Sequence, residues 1–251
     1  MKTSIALCAL IVLSIGTPAQ AAKVPSTAPS IVLVHGALID GSAWRGVYDV
    51  LTHDGYHVSI VQQPLTSLEA DVAATRRVLD LQPGPVVLVG HSYGGGIITV
   101  AGTDPKVKAL VYVAALQPDV GESVGQPAPP NPALSKDFIG TPDGFLSLKP
   151  EKFAADFGAD LPRAQAEFMA HAQIPVAAQV FDAKVSVAAW RDKPSYFVLA
   201  TEDLALQPDS AERMARRAGS KVTRIKASHA VLISQARAVA RVIETAAREV
   251  K

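Results

Sequence analysis

The first feature of the sequence that could carry out chemistry is a serine flanked by glycines. Residues 90–94 read GHSYG, which fits the pattern G-x-S-x-G. The motif follows the apolar run 86–89 and precedes a helix-like run that begins with glycines. In that context it predicts a tight strand-to-helix turn that exposes the hydroxyl of Ser92. The start of the helix places partial positive charge near this hydroxyl and favours a developing anion. Ser92 is therefore the candidate nucleophile.

Two later residues complete a pattern for nucleophilic catalysis. A serine hydroxyl is a weak nucleophile, so it needs a base and a group that orients the base. The expected chain order is serine, acid, histidine, and Ser92, Asp203 and His229 follow it, each on a loop after a predicted strand. His229 would take the serine proton, and Asp203 would hold the imidazole in the required tautomer. Two other acids remain alternatives to Asp203: its neighbour Glu202, and Asp119 after an earlier strand.

Backbone donors for an oxyanion are expected in two turns. The residue after the nucleophile supplies one N–H group, that of Tyr93. The turn at residues 35–38, which reads HGAL, is expected to supply the other from the amide of Ala37. Gly36 permits a close backbone approach at this point.

Apolar, β-branched runs alternate with helix-like segments along most of the chain. Continuous runs of this kind are typical of strands buried on both faces of a parallel sheet. The alternation predicts an α/β fold with a doubly wound, mainly parallel sheet of about six strands. The predicted strands are residues 31–34, 56–61, 86–89, 107–115, 195–200 and 221–225.

The alternation stops between residues 117 and 191, where a segment rich in proline and glycine is followed by helix-like stretches. Long insertions in compact domains are usually functional, and ligands of such sheets bind at the carboxyl edge of the strands. We therefore expect a helical cap at 117–191, inserted into a core formed by residues 23–116 and 192–251.

Length and composition limit the number of domains, the kinds of partner and the use of cysteine. The chain has 251 residues, 49% of them hydrophobic, and a formal net charge of +1, so it is long enough for one well-cored domain. The balanced charge gives no reason to expect a nucleic acid partner. The one cysteine, Cys8, lies in the N-terminal segment, which leaves the rest of the chain without disulfides or cysteine-ligated metal. We expect no metal and no cofactor.

The first 22 residues have the pattern of a secretory signal peptide. A basic start at Lys2 precedes an apolar run at 4–15, and small residues follow with A-x-A spacing at Ala19 and Ala21. The apolar run is shorter than the ~20 residues that span a bilayer. We expect cleavage and export to the periplasm or the medium, with no stable membrane anchor; a retained anchor is the alternative.

Taken together, the motifs at residues 35–37, 90–95, 200–203 and 228–230 resemble those of the α/β-hydrolase superfamily. The nearest resemblance is to small capped serine esterases related to plant methyl-ester esterases and hydroxynitrile lyases, and it covers essentially the whole mature chain. The resemblance implies a triad of Ser92, Asp203 and His229, and oxyanion amides at Ala37 and Tyr93.

Two positions bear on the reaction that this resemblance implies. Lyases of the group typically carry threonine after the first histidine and lysine after the catalytic one, where this chain has Gly36 and Ala230. Hydrolysis of small to medium apolar esters is therefore favoured. The alternatives are a cofactor-free lyase or perhydrolase reaction on the same fold, and a ligand-binding protein that retains a hydrolase pocket.

Overall fold

The computed structural model describes residues 28–128 and 131–250. The signal peptide predicted at residues 1–22 lies outside the described residues. Within them, no helix is long and apolar enough to cross a membrane.

Strands and helices alternate along the described chain. The strands are β1 (Ser30–Val34), β2 (Val58–Val61), β3 (Val86–His91), β4 (Val107–Val113), β5 (Phe138–Gly140), β6 (Phe145–Leu148), β7 (Val176–Ala177), β8 (Ser195–Ala200) and β9 (Lys221–Ile225). The helices are α1 (Arg45–His53), α2 (Leu68–Asp80), α3 (Gly94–Ala101), α4 (Pro132–Ser135), α5 (Pro150–Asp156), α6 (Arg163–His171), α7 (Gln179–Asp182), α8 (Pro208–Arg217), α9 (Val231–Ser234) and α10 (Ala236–Glu249).

Six strands form one sheet in the order β2-β1-β3-β4-β8-β9. Every neighbouring pair is parallel, which confirms the predicted doubly wound α/β fold. Helices α1, α9 and α10 cover one face of the sheet, while α2, α3 and α8 pack on the other. Strands β1 and β3 are buried along their whole length, as expected for strands covered on both faces.

The segment from 117 to 191 contains helices α4 to α7 and also a small antiparallel sheet of β5, β6 and β7. The sequence predicts helices here but not this small sheet. Its strands are two to four residues long, too short for an alternating pattern to stand out. One backbone hydrogen bond joins it to the core, from the amide of Ala177 to the carbonyl oxygen of Leu65 at 2.9 Å.

Candidate active site

The predicted strand-to-helix turn lies between β3 and α3. Ser92 has a φ of +52°, a left-handed conformation that is uncommon for any residue other than glycine. The turn is tight on both sides of the serine. A Cβ on Gly90 would lie 2.5 Å from the carbonyl oxygen of Gly94, and one on Gly94 would lie 2.7 Å from that of His35. Gly90 therefore lets β3 approach the start of α3, and Gly94 lets α3 approach the end of β1.

The three residues proposed as a triad come together at the carboxyl edge of the sheet. The Nε2 atom of His229 lies 2.8 Å from Oγ of Ser92, and its Nδ1 atom lies 2.7 Å from Oδ2 of Asp203. Asp203 and His229 are each 3% exposed. They meet because β3, β8 and β9 are parallel, so the loops that follow these strands open at the same edge.

The surroundings of Asp203 fix the direction of its carboxylate. Its Oδ1 atom accepts hydrogen bonds from the amides of Ala205 at 2.9 Å and Leu206 at 2.8 Å. The Oδ2 atom then faces the imidazole of His229. Since a carboxylate only accepts, Nδ1 of His229 carries the hydrogen and Nε2 presents a lone pair to the hydroxyl of Ser92.

Neither alternative acid contacts His229 in the structure. Asp119 makes two hydrogen bonds to Arg191, at 2.7 and 2.8 Å, and this partner lowers the pKa of Asp119. Glu202 is exposed and lies 3.5 Å from Lys226. Of the three candidate acids, Asp203 is the one placed against the imidazole.

The two amides proposed for the oxyanion are free to act as donors. Within residues 28–128 and 131–250, neither the amide of Ala37 nor that of Tyr93 donates to another protein group. Directly before Ala37 stands Gly36, where an added Cβ would be 2.7 Å from Cβ of Ser92. Glycine thus lets the oxyanion turn approach the nucleophile.

His35 holds this turn in place. Its Nδ1 atom donates to the carbonyl oxygen of Gly36 at 2.8 Å, and its Nε2 atom accepts from the amide of Gln63 at 3.2 Å. These partners fix one neutral tautomer. Burial, the largest influence, lowers the pKa of His35, so the ring remains a neutral structural link.

A buried carboxyl group, that of Asp71, is hydrogen-bonded to the side chain of Tyr93. The phenol of Tyr93 donates to Oδ2 of Asp71 at 2.7 Å, while Oδ1 accepts from the amide of Leu65 at 2.9 Å. Burial, followed by the nearby carboxylate, raises the pKa of Tyr93. The sequence does not predict this role of Asp71, because Asp71 lies in the first turn of α2, where the helix dipole already accounts for an acid.

The inserted segment forms hydrogen bonds and ring contacts with the loop that carries His229. The carbonyl oxygen of Phe157 accepts from the amide of Ala230 at 3.1 Å and from the hydroxyl of Ser228 at 3.2 Å. The Phe157 ring packs edge-on against the His229 imidazole at 5.0 Å between centroids. Asp160 also accepts a hydrogen bond from Ser228. None of these contacts was predicted from the sequence, since they join residues about 70 positions apart.

A cavity of about 750 Å³ opens above the serine, within the range of small-molecule sites. Its floor includes Ala37, Ser92 and His229, and most of its walls come from the inserted segment. The apolar lining residues are Leu38, Leu116, Ala128, Leu134, Phe138, Leu146, Leu148, Phe157, Val176, Ala178, Phe181, Ala205 and Leu206. Among the described residues, no group of three or more His, Cys, Asp or Glu side chains is suited to hold a metal ion.

Comparison with known proteins places this architecture in a family. The family model described as "Alpha/beta hydrolase family" matches residues 31–242. An α/β hydrolase from Aspergillus novofumigatus is 28% identical over 256 residues, covering 88% of this chain and 97% of that protein. A carbendazim hydrolyzing esterase from a Nocardioides species is 33% identical over 128 residues, covering 44% of this chain and 52% of that protein.

Solved structures agree on the fold. A pyrethroid hydrolase from Sphingobium faniae has a TM-score of 0.75 at 22% identity, covering 88% of this chain and 98% of that one. A methylesterase from Arabidopsis has a TM-score of 0.73 at 17% identity, covering 86% and 98%. At such identities the likeness shows the fold alone, and it includes the plant methylesterases that the motifs resemble. Since the family model spans most of the chain, this protein belongs to the α/β hydrolase family.

Proposed function

We propose that this protein hydrolyses carboxylic esters of small to medium apolar substrates through an acyl-enzyme on Ser92. The observation that carries the proposal is the hydrogen-bonded series from Ser92 through His229 to Asp203, at 2.8 and 2.7 Å, on the floor of a largely apolar cavity. A nucleophile, a base and an orienting acid in this order are what acyl transfer requires.

Each residue has a defined part in the proposed reaction. Ser92 Oγ attacks the ester carbonyl carbon while His229 Nε2 takes its proton. The carbonyl oxygen becomes an oxyanion and accepts from the amides of Ala37 and Tyr93. His229 returns the proton to the departing alcohol. A water molecule then attacks the acyl group with His229 as base, which releases the acid and restores Ser92. Asp203 stabilises the charged imidazole in both steps.

Relatives support ester cleavage over the other reactions of the fold. One is described as an esterase and another as an α/β hydrolase. Ala230 stands where the resembling lyases carry lysine, so no cation is supplied there for a departing cyanide. The lining is mostly apolar and its acidic members are Asp156 and Asp182, so a negatively charged acyl or alcohol group would be buried there without a partner, which is costly.

Two further parts of the proposal concern organisation and location. We propose that residues 117–191 act as a cap over the site, since they supply most of the cavity wall. We also propose export to the periplasm or the medium after cleavage of residues 1–22, on the basis of their signal-peptide pattern.

Hydrolysis of p-nitrophenyl esters of increasing acyl length tests the proposal. The purified mature protein should release p-nitrophenol, with an optimum at an acyl chain longer than acetyl because the cavity walls are apolar. Ser92→Ala should reduce the rate to the background of the uncatalysed reaction. Equal turnover by both proteins would overturn the assignment. Tight binding of an ester that is not cleaved would instead identify a ligand-binding protein.

A further inference from the structure

His91 adjoins both the proposed nucleophile and the proposed base. It is the last residue of β3, it directly precedes Ser92, and its side chain is fully buried. Its Nε2 atom lies 3.0 Å from the backbone carbonyl oxygen of His229. Since a carbonyl oxygen only accepts, Nε2 carries the hydrogen and donates it.

This bond creates a second link between two residues of the triad. The first link is the side-chain contact of 2.8 Å from Oγ of Ser92 to Nε2 of His229. The second runs from the ring of His91, one residue before Ser92, to the backbone of His229. The side-chain contact changes as the proton moves during the reaction, whereas the backbone contact is independent of that proton.

The ring of His91 is confined so that its donor keeps one direction. It contacts Trp44 edge-on at 6.4 Å, Phe157 at 6.2 Å and the His229 ring at 4.8 Å between centroids. On the remaining side, a Cβ added to Gly36 would lie 2.8 Å from Nδ1 of His91. A close-packed environment of this kind leaves the ring no room to turn.

His91 is also held in its neutral form. Within the described residues, its Nδ1 atom is buried and has no hydrogen-bond partner. A proton on that atom would bury a charged ring with an unsatisfied donor, which is costly. Burial lowers the pKa of His91 well below its ordinary value, and the neighbouring His229 adds to the effect.

We propose that His91 is a positioning residue for the triad: its Nε2–H group holds the backbone of His229 so that the imidazole stays within hydrogen-bond distance of Ser92. The inference rests on the proposed function and deepens it. Asp203 orients the imidazole ring, and Phe157 of the inserted segment accepts a hydrogen bond from the neighbouring backbone. His91 links the same loop to the strand that precedes the nucleophile.

Two substitutions distinguish the effect of the Nε2–H donor of His91 from the effect of the volume that its ring fills. His91→Phe keeps a flat ring and removes the donor, whereas His91→Gln restores an N–H group on a side chain of similar reach. The readouts are kcat and KM for a p-nitrophenyl ester, and the rate at which a fluorophosphonate labels Ser92. We expect His91→Phe to lower kcat and labelling by about 10- to 100-fold, as for small misplacements of reacting groups. KM should change little, and His91→Gln should recover most of the loss.

Ser195→Ala is a matched control for stability. It removes a buried hydroxyl that lies 2.8 Å from the Ser220 hydroxyl, at the amino end of β8 and away from the site. Its urea midpoint should fall while its labelling rate stays at the wild-type value. For the folded wild-type protein, ¹⁵N NMR of the imidazole should show His91 with its hydrogen on Nε2 at neutral pH.

Several outcomes would overturn the inference. Labelling of His91→Phe at the wild-type rate, or equal losses in His91→Phe and His91→Gln, would show that the donor has no positioning role. An imidazole with its hydrogen on Nδ1 would do the same, even if both variants fail to fold. Absence of labelling in the wild-type protein would overturn the proposed function, and this inference with it.

Discussion

Replacing Asp203 by asparagine should preserve the shape of the site and remove most of its activity. The substitution exchanges one carboxylate oxygen for an NH₂ group of nearly the same size. Which oxygen is exchanged follows from the neighbours. The amides of Ala205 and Leu206 both donate to Oδ1, so the amide oxygen of asparagine must take that place. The reversed orientation leaves both donors unsatisfied, and the buried one, the amide of Leu206, costs about 1–3 kcal/mol.

The fixed orientation has a direct effect on His229. The new NH₂ group faces Nδ1, which must then accept, so the imidazole hydrogen moves to Nε2. In that tautomer Nε2 has no lone pair for the proton of Ser92. The corresponding change in the serine protease template lowers kcat by about 10⁴-fold, equal to ~5.5 kcal/mol of barrier. We expect a loss of this order.

The assay is kcat for p-nitrophenyl butyrate with purified protein, and the chain offers two matched controls. Asp119→Asn and Glu202→Gln make the same chemical change at the two alternative acids, one paired with Arg191 and the other exposed beside Lys226. Both should retain activity close to the wild-type value. The reasoning fails if Asp203→Asn stays within about tenfold of wild type, or if either control loses as much.

Three further changes have defined outcomes. Gly36→Ala places a Cβ 2.7 Å from Cβ of Ser92, so kcat for the same ester should fall by about 10²-fold with little loss of fold by circular dichroism. Tyr93→Phe removes the donor to buried Asp71 and should lower the free energy of unfolding by about 1–3 kcal/mol in urea; an unchanged midpoint would contradict this. Burial lowers the pKa of His91 in the folded chain from 6.5, so the unfolded chain binds more protons as the pH falls below that value. His91 should therefore lower the free energy of unfolding, as the pH falls, by at most ~1.4 kcal/mol per pH unit. In urea unfolding between about pH 7 and about pH 5, the free energy of unfolding of His91→Gln should depend less steeply on pH than that of the wild-type protein.

The sheet and the loops at its carboxyl edge could be predicted because their signals are local. Strands such as β3 and β4 contain continuous apolar runs, at residues 86–89 and 109–113, and the serine turn has its own glycine pattern. Parallel pairing then brings the loops after β3, β8 and β9 to one edge without further information. The placement of Ser92, Asp203 and His229 follows from these two steps.

The contacts that hold the site could not be predicted, because they join residues distant in sequence. The bonds of Asp71 to Tyr93 and of His91 to His229 depend on how helices and loops pack, for which periodicity carries no signal. The small sheet of the inserted segment was missed for a related reason. Its strands are short and packed by tertiary contacts with the core, and such contacts override local propensity.

The central claim is that Ser92 forms the acyl-enzyme, and intact-protein mass spectrometry during turnover tests it most directly. Rapid quenching after mixing with p-nitrophenyl butyrate should show a fraction of the protein heavier by one butyryl group. Peptide analysis should place that group on Ser92, and Ser92→Ala should show no added mass. An acyl group on another residue, or hydrolysis by Ser92→Ala at the wild-type rate, would contradict the account.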